Sequence, residues 1–222
     1  MDFSILHSTK PIHPIVLRIE QQMQSLLSLI HSNRGFFQEE NKKLDEWKSL
    51  EVDKVYKDFE GKPKDLITNE EDNVNSQYDW QKQILWNTEN DFYHATFILA
   101  YSYFESIVSA ICKDKAIVAD NHIDNKVNAI LCHCKSQFKA TTQIQYNYVV
   151  GDLKKVRNLL IHNYNGTNKQ EQLDAASREH AKSIGFEKVS DESFVVRFEY
   201  VVQTLDNLYP ILKELSTILN LQ

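Results

Sequence analysis

The chain has 222 residues, of which 42% are hydrophobic and 25% are charged, so it is long enough to bury a core of its own. Its formal net charge of −6 weighs against a broad basic surface for nucleic acid, so any contact with RNA must come from a local patch. Only five glycines and four prolines are present, which indicates long helices joined by few turns.

The sequence predicts neither a membrane span nor a secretory signal. No apolar run reaches 18 residues, and the residues after Met1 lack a basic segment followed by an apolar one. The three cysteines are odd in number and do not resemble a disulfide framework, which suits a reducing compartment. We therefore expect a cytoplasmic protein.

Residues 1–60 are predicted to form an N-terminal helical extension. Apolar residues at helical spacing predict one helix over 15–32 and a second over 36–59, and Asn33-Arg34-Gly35 between them reads as a turn. Two helices joined by a short turn pack as a helical hairpin.

A polar linker is predicted over residues 61–78. This segment contains Gly61, Pro63 and a run of polar residues from Thr68 to Asn73, which is typical of a mobile connection between two parts of a chain.

Residues 79–222 are predicted to form a helical domain. Its longest helical pattern covers 79–112, where one apolar stripe recurs every three or four residues. That stripe consists of Tyr93, Phe97, Tyr101, Phe104, Val108 and Ile111. Further helices are predicted over 124–139 and 144–164, and a short helix or an ordered loop over 168–182.

The spacing of apolar residues changes near the end of the chain. Residues 185–197 alternate like a small β-hairpin, and 198–219 return to a helical pattern that Pro210 should kink or break near Tyr209. The predicted fold class is therefore all-α, a helical bundle with an N-terminal helical hairpin and a small β-hairpin before the last helix.

Cys132-His133-Cys134 is the one segment that suggests a metal. A structural zinc site needs four ligands at spacings such as C-x2-C, and no second pair of ligands occurs. Adjacent residues on a helix also point in different directions. We expect no metal and no cofactor.

The most informative segment is the predicted helix 144–164. Its apolar stripe is formed by Val149, Leu153, Val156, Leu160 and Tyr164. Arg157 lies at the edge of that stripe, while Asn158 and His162 are four apart and form a polar notch. Because Leu159 and Ile161 flank the notch, the helix is apolar nearly all round. We expect it to pack on its own core and also against a second copy of the chain.

These residue types could cleave RNA without a metal. His162 would take the proton from a ribose 2′-OH, and Arg157 would stabilise the charge that develops on the attacked phosphate. The reaction needs both a base and an acid, which two notches facing each other across a two-fold axis would supply. Lys154 and Lys155 are candidates for the local basic patch, and Glu105 could either orient Arg157 through an ion pair or be exposed.

The segment from Arg157 to His162 resembles the R-x(4–6)-H motif of the HEPN superfamily (higher eukaryotes and prokaryotes nucleotide-binding domains), in which a polar residue often follows the Arg. The resemblance implies an all-α bundle, a homodimer, and metal-independent endoribonuclease activity in a cleft shared by two subunits. It would place Arg157 and His162 at the catalytic positions, with Asn158 in support.

With Tyr164 included, the segment also resembles the R-x4-H-x-Y form of HEPN toxins that pair with nucleotidyltransferase antitoxins. That resemblance implies that Tyr164 accepts AMP from the antitoxin. The length of the chain is closer to proteins similar to abortive-infection HEPN domains, so a toxin or a phage-defence effector is expected. Two alternatives stay open: a HEPN-like module that binds nucleotides or partners without cutting, and a toxin regulated by AMPylation of Tyr164.

Overall fold

The computed structural model describes residues 13–161, 169–190 and 193–219, and it confirms the all-α class. Helices α1 to α7 are Pro14–Asp58, Lys64–Asp114, Ile123–His133, Ala140–Tyr148, Lys154–Ile161, Lys169–Lys182 and Phe198–Ile218. A π-helical turn, Val149–Leu153, connects α4 directly to α5. Two strands, β1 (Phe186–Lys188) and β2 (Phe194–Val196), form the small β-hairpin that was predicted before the last helix.

The predicted turn at Asn33-Arg34-Gly35 is wrong, because α1 runs without interruption through these residues. A side chain at Gly35 would meet no atom within 4 Å, so this glycine lies on an open helix surface. One glycine inside a helix costs only about 1 kcal/mol. Ile30 and Phe37, at most 3% exposed on either side of it, are buried strongly enough to outweigh that cost.

The predicted linker over residues 61–78 is also wrong as a description of local structure, because α2 begins at Lys64. The chain turns just before this helix, where Gly61 has a φ of +78°. Helix α2 itself contains no glycine or proline, and the polar run after Pro63 forms a solvated helix face rather than a loop. The proposal that residues 79–222 form a HEPN-like domain stays a prediction.

The chain divides into two compact units, Leu29–Tyr93 and the combination of Met1–Ser28 with His94–Gln222. The first of these is an antiparallel pair of helices, here called the α1–α2 hairpin. Its contacts run in opposite directions along α1 and α2, since the rings of Phe37 and Phe92 are 6.0 Å apart and Tyr56 donates to Glu71 over 2.9 Å. A helical hairpin is therefore present, but α1 and α2 form it rather than the two halves of residues 1–60.

The other unit contains the aromatic core. Five residues of the predicted α2 stripe, from Phe97 to Ile111, are completely buried. The start of α1 is attached to this core by hydrogen bonds from Arg18 to Ser106 (3.0 Å) and from Tyr209 to Glu20 (2.6 Å). Burial of this helical stripe confirms that the predicted apolar face of α2 lies in the core.

Helix α7 continues through Pro210, so of the predicted kink or break near Tyr209 the break does not occur. Leu208, Ile211 and Leu212 around the proline are completely buried, and this packing maintains the helix although proline donates no backbone hydrogen bond.

Among the described residues, α2 contains a window that is long and apolar enough to cross a membrane. Half of this window is buried inside the fold.

Candidate functional site

The helix that carries the motif is built from three segments rather than one. It begins at Ala140, earlier than predicted, and the π turn Val149–Leu153 separates α4 from α5. A π turn inserts one extra residue and often occurs at functional sites. The buried hydroxyl of Tyr101 donates to the carbonyl of Val149, the first residue of this turn, over 3.4 Å. The described residues of the predicted stripe are all buried, with Leu160 the most exposed at 8%.

Arg157 on α5 is held on three sides. Its Nη2 lies 3.3 Å from Oε2 of Glu105, and its Nη1 donates to Oδ1 of Asn158 over 3.0 Å. The guanidinium carbon lies 5.7 Å from the centre of the Tyr101 ring, within cation–π range. The Arg157 side chain is 21% exposed and that of Glu105 is 35% exposed. The suggested ion pair between Glu105 and Arg157 is thus present.

One nitrogen of this guanidinium is without a partner in the part of the chain that the structure describes. The Nε of Arg157 is buried, and no described residue accepts a hydrogen bond from it. A buried N–H without an acceptor costs about 1–3 kcal/mol. An oxygen that reached this side of the guanidinium would remove that cost.

Tyr101 below the guanidinium is a neutral phenol. Burial raises the pKa of its hydroxyl well above the ordinary value, the negative charge of Glu105 raises it further, and Arg157 lowers it. The hydroxyl is therefore a hydrogen-bond donor for the π turn at any pH near neutrality.

The predicted basic patch is paired with acids inside the chain. Lys154 lies 3.2 Å from Asp124, and Lys155 lies 3.4 Å from Glu171. The structure therefore brings Arg157, Asn158 and Glu105 together but directs the two lysines to separate carboxylates. Both pairs are partly exposed, so an incoming phosphate can compete for them at little cost.

His162 and Tyr164 lie outside the described residues, as do the other residues of 162–168. The described part of α5 ends at Ile161, one residue before the predicted catalytic histidine. The roles predicted for His162 and Tyr164 therefore stay predictions.

The apolar character of the motif helix has an explanation inside one chain. Leu159, which flanks the polar notch, is completely buried, and α5 packs against α6. A second subunit is therefore not required to cover this side of the helix. The apolar pattern alone no longer supports a homodimer. The chemical argument, that cleavage needs both a base and an acid, remains.

A buried carboxylate near the motif helix was not predicted. Glu179 on α6 is completely buried, and its Oε2 accepts hydrogen bonds from Tyr148 (2.6 Å), Ser183 (2.9 Å) and Tyr200 (3.2 Å). Lys182 lies 3.5 Å from Oε1 without making a hydrogen bond to it. These contacts connect α4, α6 and α7. The only local signal for this cluster is that Glu179 shares a helix face with the small residues Ala175 and Ala176.

The phenols of this cluster stay protonated. Burial raises the pKa of Tyr148 and Tyr200 well above the ordinary value, and the neighbouring Glu179 raises both further. Next to the cluster, Asp152 of the π turn binds Arg178 over 2.6 Å and Lys182 over 3.2 Å. Helix α6 is therefore attached to the motif helix by both a buried and a surface carboxylate.

No group of three or more His, Cys, Asp or Glu that could hold a metal occurs within residues 13–161, 169–190 and 193–219. Cys132 is exposed and Cys134 is partly exposed, on a helix that ends at His133.

A scan against protein-family models and searches of curated proteins and of solved structures find no match for this chain. The resemblance of the motif to the HEPN superfamily therefore rests on the residues from Arg157 to Tyr164 alone.

Proposed function

We propose that the chain is a metal-independent endoribonuclease of the HEPN type that acts as a homodimer. The observation that supports this most is the state of Arg157 in the R-x4-H motif. Its guanidinium is fixed by Glu105 and Asn158, yet its buried Nε has no acceptor among the described residues. The buried Nε is itself out of reach of a substrate, but the Arg157 side chain as a whole is 21% exposed. A preorganised and partly exposed cation is suited to stabilising the charge that develops on a phosphate.

In this mechanism His162 of one subunit removes the proton from the ribose 2′-OH. The 2′-oxygen attacks the adjacent phosphorus, and the bond from phosphorus to the 5′-oxygen breaks. The leaving 5′-oxygen takes a proton from the second imidazole in the shared cleft. The products are a 2′,3′-cyclic phosphate and a 5′-hydroxyl, and the pair of histidines ends with one proton moved between them.

Arg157 would stabilise the transition state and the other two residues would position it. Glu105 restrains one end of the guanidinium and Asn158 restrains the other, so the donors need not reorganise during the reaction. Lys154 and Lys155 would exchange their carboxylates for RNA phosphates when substrate binds, which makes binding salt-sensitive.

The proposed biological role is that of a toxin or phage-defence effector in the cytoplasm. Uncontrolled cleavage of RNA would harm the cell that makes the enzyme, so an antitoxin or a nucleotidyltransferase partner is part of this proposal. A partner that transferred AMP to Tyr164 would add a phosphate two residues after His162 and would block the cleft by charge and bulk.

A second function is favoured by the charges around the motif. Arg157, Lys154 and Lys155 each pair with an acid within the chain, and the net charge is −6. These pairs weaken the attraction to a polyanion and suit a HEPN-like module that binds a nucleotide or a protein without cutting.

Incubation of the purified chain with RNA of mixed sequence in EDTA separates the two functions. The nuclease gives fragments with 2′,3′-cyclic phosphate ends, and the binding module retains intact RNA or nucleotide. Sedimentation of the same sample measures whether the chain is a dimer. Intact mass with and without a nucleotidyltransferase encoded beside it tests the modification of Tyr164.

A further inference from the structure

The α1–α2 hairpin has two faces of opposite character. On one face polar side chains close the gap between α1 and α2. There Asp45 accepts from Tyr78 (2.7 Å) and Lys82 (3.0 Å), and the ammonium of Lys48 lies 4.4 Å from the centre of the Tyr78 ring. Tyr56 and Glu71 continue this face with a 2.9 Å hydrogen bond.

The opposite face is an open groove between the same two helices. One part of it has a volume of about 400 Å³, a second part has about 260 Å³, and Trp47 lines both. The lining residues extend from Phe36 to Phe59 on α1, which corresponds to about 35 Å of helix at 1.5 Å per residue. This is the length of a helix of about six turns.

The floor of this groove is apolar, and exposed apolar residues lie along both edges of its first part, whereas its second part is lined mainly by polar and charged residues. Leu44 and Val55 form buried parts of the floor at 9% exposure each. Phe36, which is 53% exposed, and Ile84, which is 46% exposed, line the first part of the groove. Leu50 is two heptads after Phe36, and Trp80 is one helical turn before Ile84, so both edges continue with residues that are 68% and 66% exposed. Apolar residues in one row along two helices are typical of a docking surface for a third helix.

The charges around the groove indicate what kind of helix fits. Residues 29–93 contain nine Lys and Arg against fifteen Asp and Glu, which gives a net charge of −6. This equals the net charge of the whole chain, so the positive and negative charges of the remaining residues cancel. Inside the groove, Lys43 pairs with Glu40 (2.8 Å) and Lys54 with Glu51 (3.5 Å).

Two carboxylates at the far end of the groove remain without a cation. Asp58 and Glu70 line its second part, and no Lys, Arg or His of the described residues lies within salt-bridge distance of either. A second copy of this hairpin would bring another net charge of −6 against the first, which is unfavourable.

We propose that this groove binds a basic amphipathic helix of a different protein. The apolar face of that helix lies on Trp47, Phe36 and Ile84, and its lysines or arginines meet Asp58 and Glu70. The bound helix would complete a three-helix coiled coil with the two helices of the α1–α2 hairpin. This site is separate from the motif and does not depend on the proposed nuclease function.

The test uses the full-length chain and a labelled synthetic helix of about 21 residues, with Leu at the a and d positions and Lys at the flanking positions. A peptide with Glu in place of every Lys is the charge control. Fluorescence anisotropy should show saturable binding of the Lys peptide and none of the Glu peptide. Equal binding of both peptides, or of neither, would overturn the proposal.

Variants then locate the site. Ile84→Lys should weaken binding of the Lys peptide at least tenfold, because it places a charge at the apolar edge of the groove. Ile144→Lys makes the same change at a residue that is 71% exposed on α4, and it should change binding less than twofold. Equal loss in both variants would show non-specific attraction and would contradict the proposal.

The paired change Asp58→Asn with Glu70→Gln keeps the shape of both side chains and should weaken binding by about threefold to tenfold at low salt. Sedimentation of the chain without peptide tests whether a second copy of the chain occupies the groove instead. A dimer that Ile84→Lys dissociates and Ile144→Lys does not would place a second copy in the groove and overturn the proposal.

Discussion

The guanidinium of Arg157 lies 3.3 Å from the carboxylate of Glu105, a residue 52 positions earlier in the chain and on a different helix. This contact connects α2, which contributes an apolar stripe to the core, to the helix of the motif. It holds the guanidinium of Arg157 in one orientation. Glu105 is therefore expected to act as a positioning residue for Arg157 in the proposed nuclease.

Replacement of Glu105 should weaken both the fold and the cleavage reaction. Because the pair is partly exposed, we expect a coupling energy with Arg157 of about 0.5–1 kcal/mol in a double-mutant cycle of Glu105→Ala and Arg157→Ala. Urea unfolding of the four proteins measures it. A coupling of zero would show that the contact has no effect on stability.

Activity gives a second measure of the same contact. Glu105→Gln retains an acceptor for Nη2, whereas Glu105→Ala does not, so Gln should preserve more of the turnover number. Asn158→Ala removes the other restraint and serves as the comparison. Equal activity in both Glu105 variants and the wild type would remove Glu105 from the mechanism.

The buried Glu179 should be one of the most sensitive positions in the chain. Glu179→Ala leaves the hydroxyls of Tyr148, Ser183 and Tyr200 without their acceptor, so we expect a loss of about 3–5 kcal/mol of unfolding free energy. Ser183→Ala removes only one donor and should cost about 1 kcal/mol. Urea unfolding monitored by circular dichroism measures both, and a loss below 1 kcal/mol for Glu179→Ala would contradict this account of the cluster.

Asp152 should make the fold sensitive to acid. Hydrogen bonds from Arg178, and also from Lys182, hold the pKa of the Asp152 carboxyl below its ordinary value. A carboxyl whose pKa is lowered in the folded state stabilises the protein above its unfolded pKa of about 3.9 and loses this effect as the pH falls through the folded pKa.

Wild type should therefore be more stable than Asp152→Asn by about 1 kcal/mol at pH 7, a value that allows for the exposure of Arg178. The difference should shrink below about pH 4. Asp206→Asn, at an exposed position on α7, is the control and should show almost no difference at either pH. An Asp152 difference that stays constant from pH 7 to pH 3 would contradict the predicted linkage.

The uninterrupted course of α1 can be tested at Gly35. In a helix with open space at this position, Gly35→Ala should raise the unfolding free energy by about 0.4–1 kcal/mol. At Gly185, by contrast, φ is +80° and a Cβ would lie 2.9 Å from the backbone nitrogen of Tyr200, so Gly185→Ala should destabilise the fold. A loss of stability in Gly35→Ala would indicate that the chain does turn there.

Apolar periodicity was a reliable guide to what is buried. The stripe from Phe97 to Ile111 and that from Val149 to Leu160 were both predicted, because a helix buries residues that recur every three or four positions. The β-hairpin before α7 was predicted from the change to a period of two. The sequence did not decide whether Glu105 pairs with Arg157 or is exposed, because that depends on how two separate helices pack.

Local breakers were a poor guide to where helices end. Gly35 and Pro210 each predicted an interruption, and in both cases the helix continues because packing outweighs local preference. The polar run after Pro63 was also expected to interrupt the chain, but it contains no glycine or proline and forms a solvated part of α2. The Glu179 cluster could not be predicted, since its members come from positions 148, 179, 183 and 200 and form no pattern along the chain.

Cleavage of RNA in EDTA by the wild type, Arg157→Ala and His162→Ala tests the central proposal most directly. The account predicts that the wild type produces fragments with 2′,3′-cyclic phosphate ends. Each variant should lose this activity by at least about 100-fold while it keeps its helical content and its dimeric state. Equal cleavage by the wild type and either variant, or cleavage that requires a divalent metal, would contradict it.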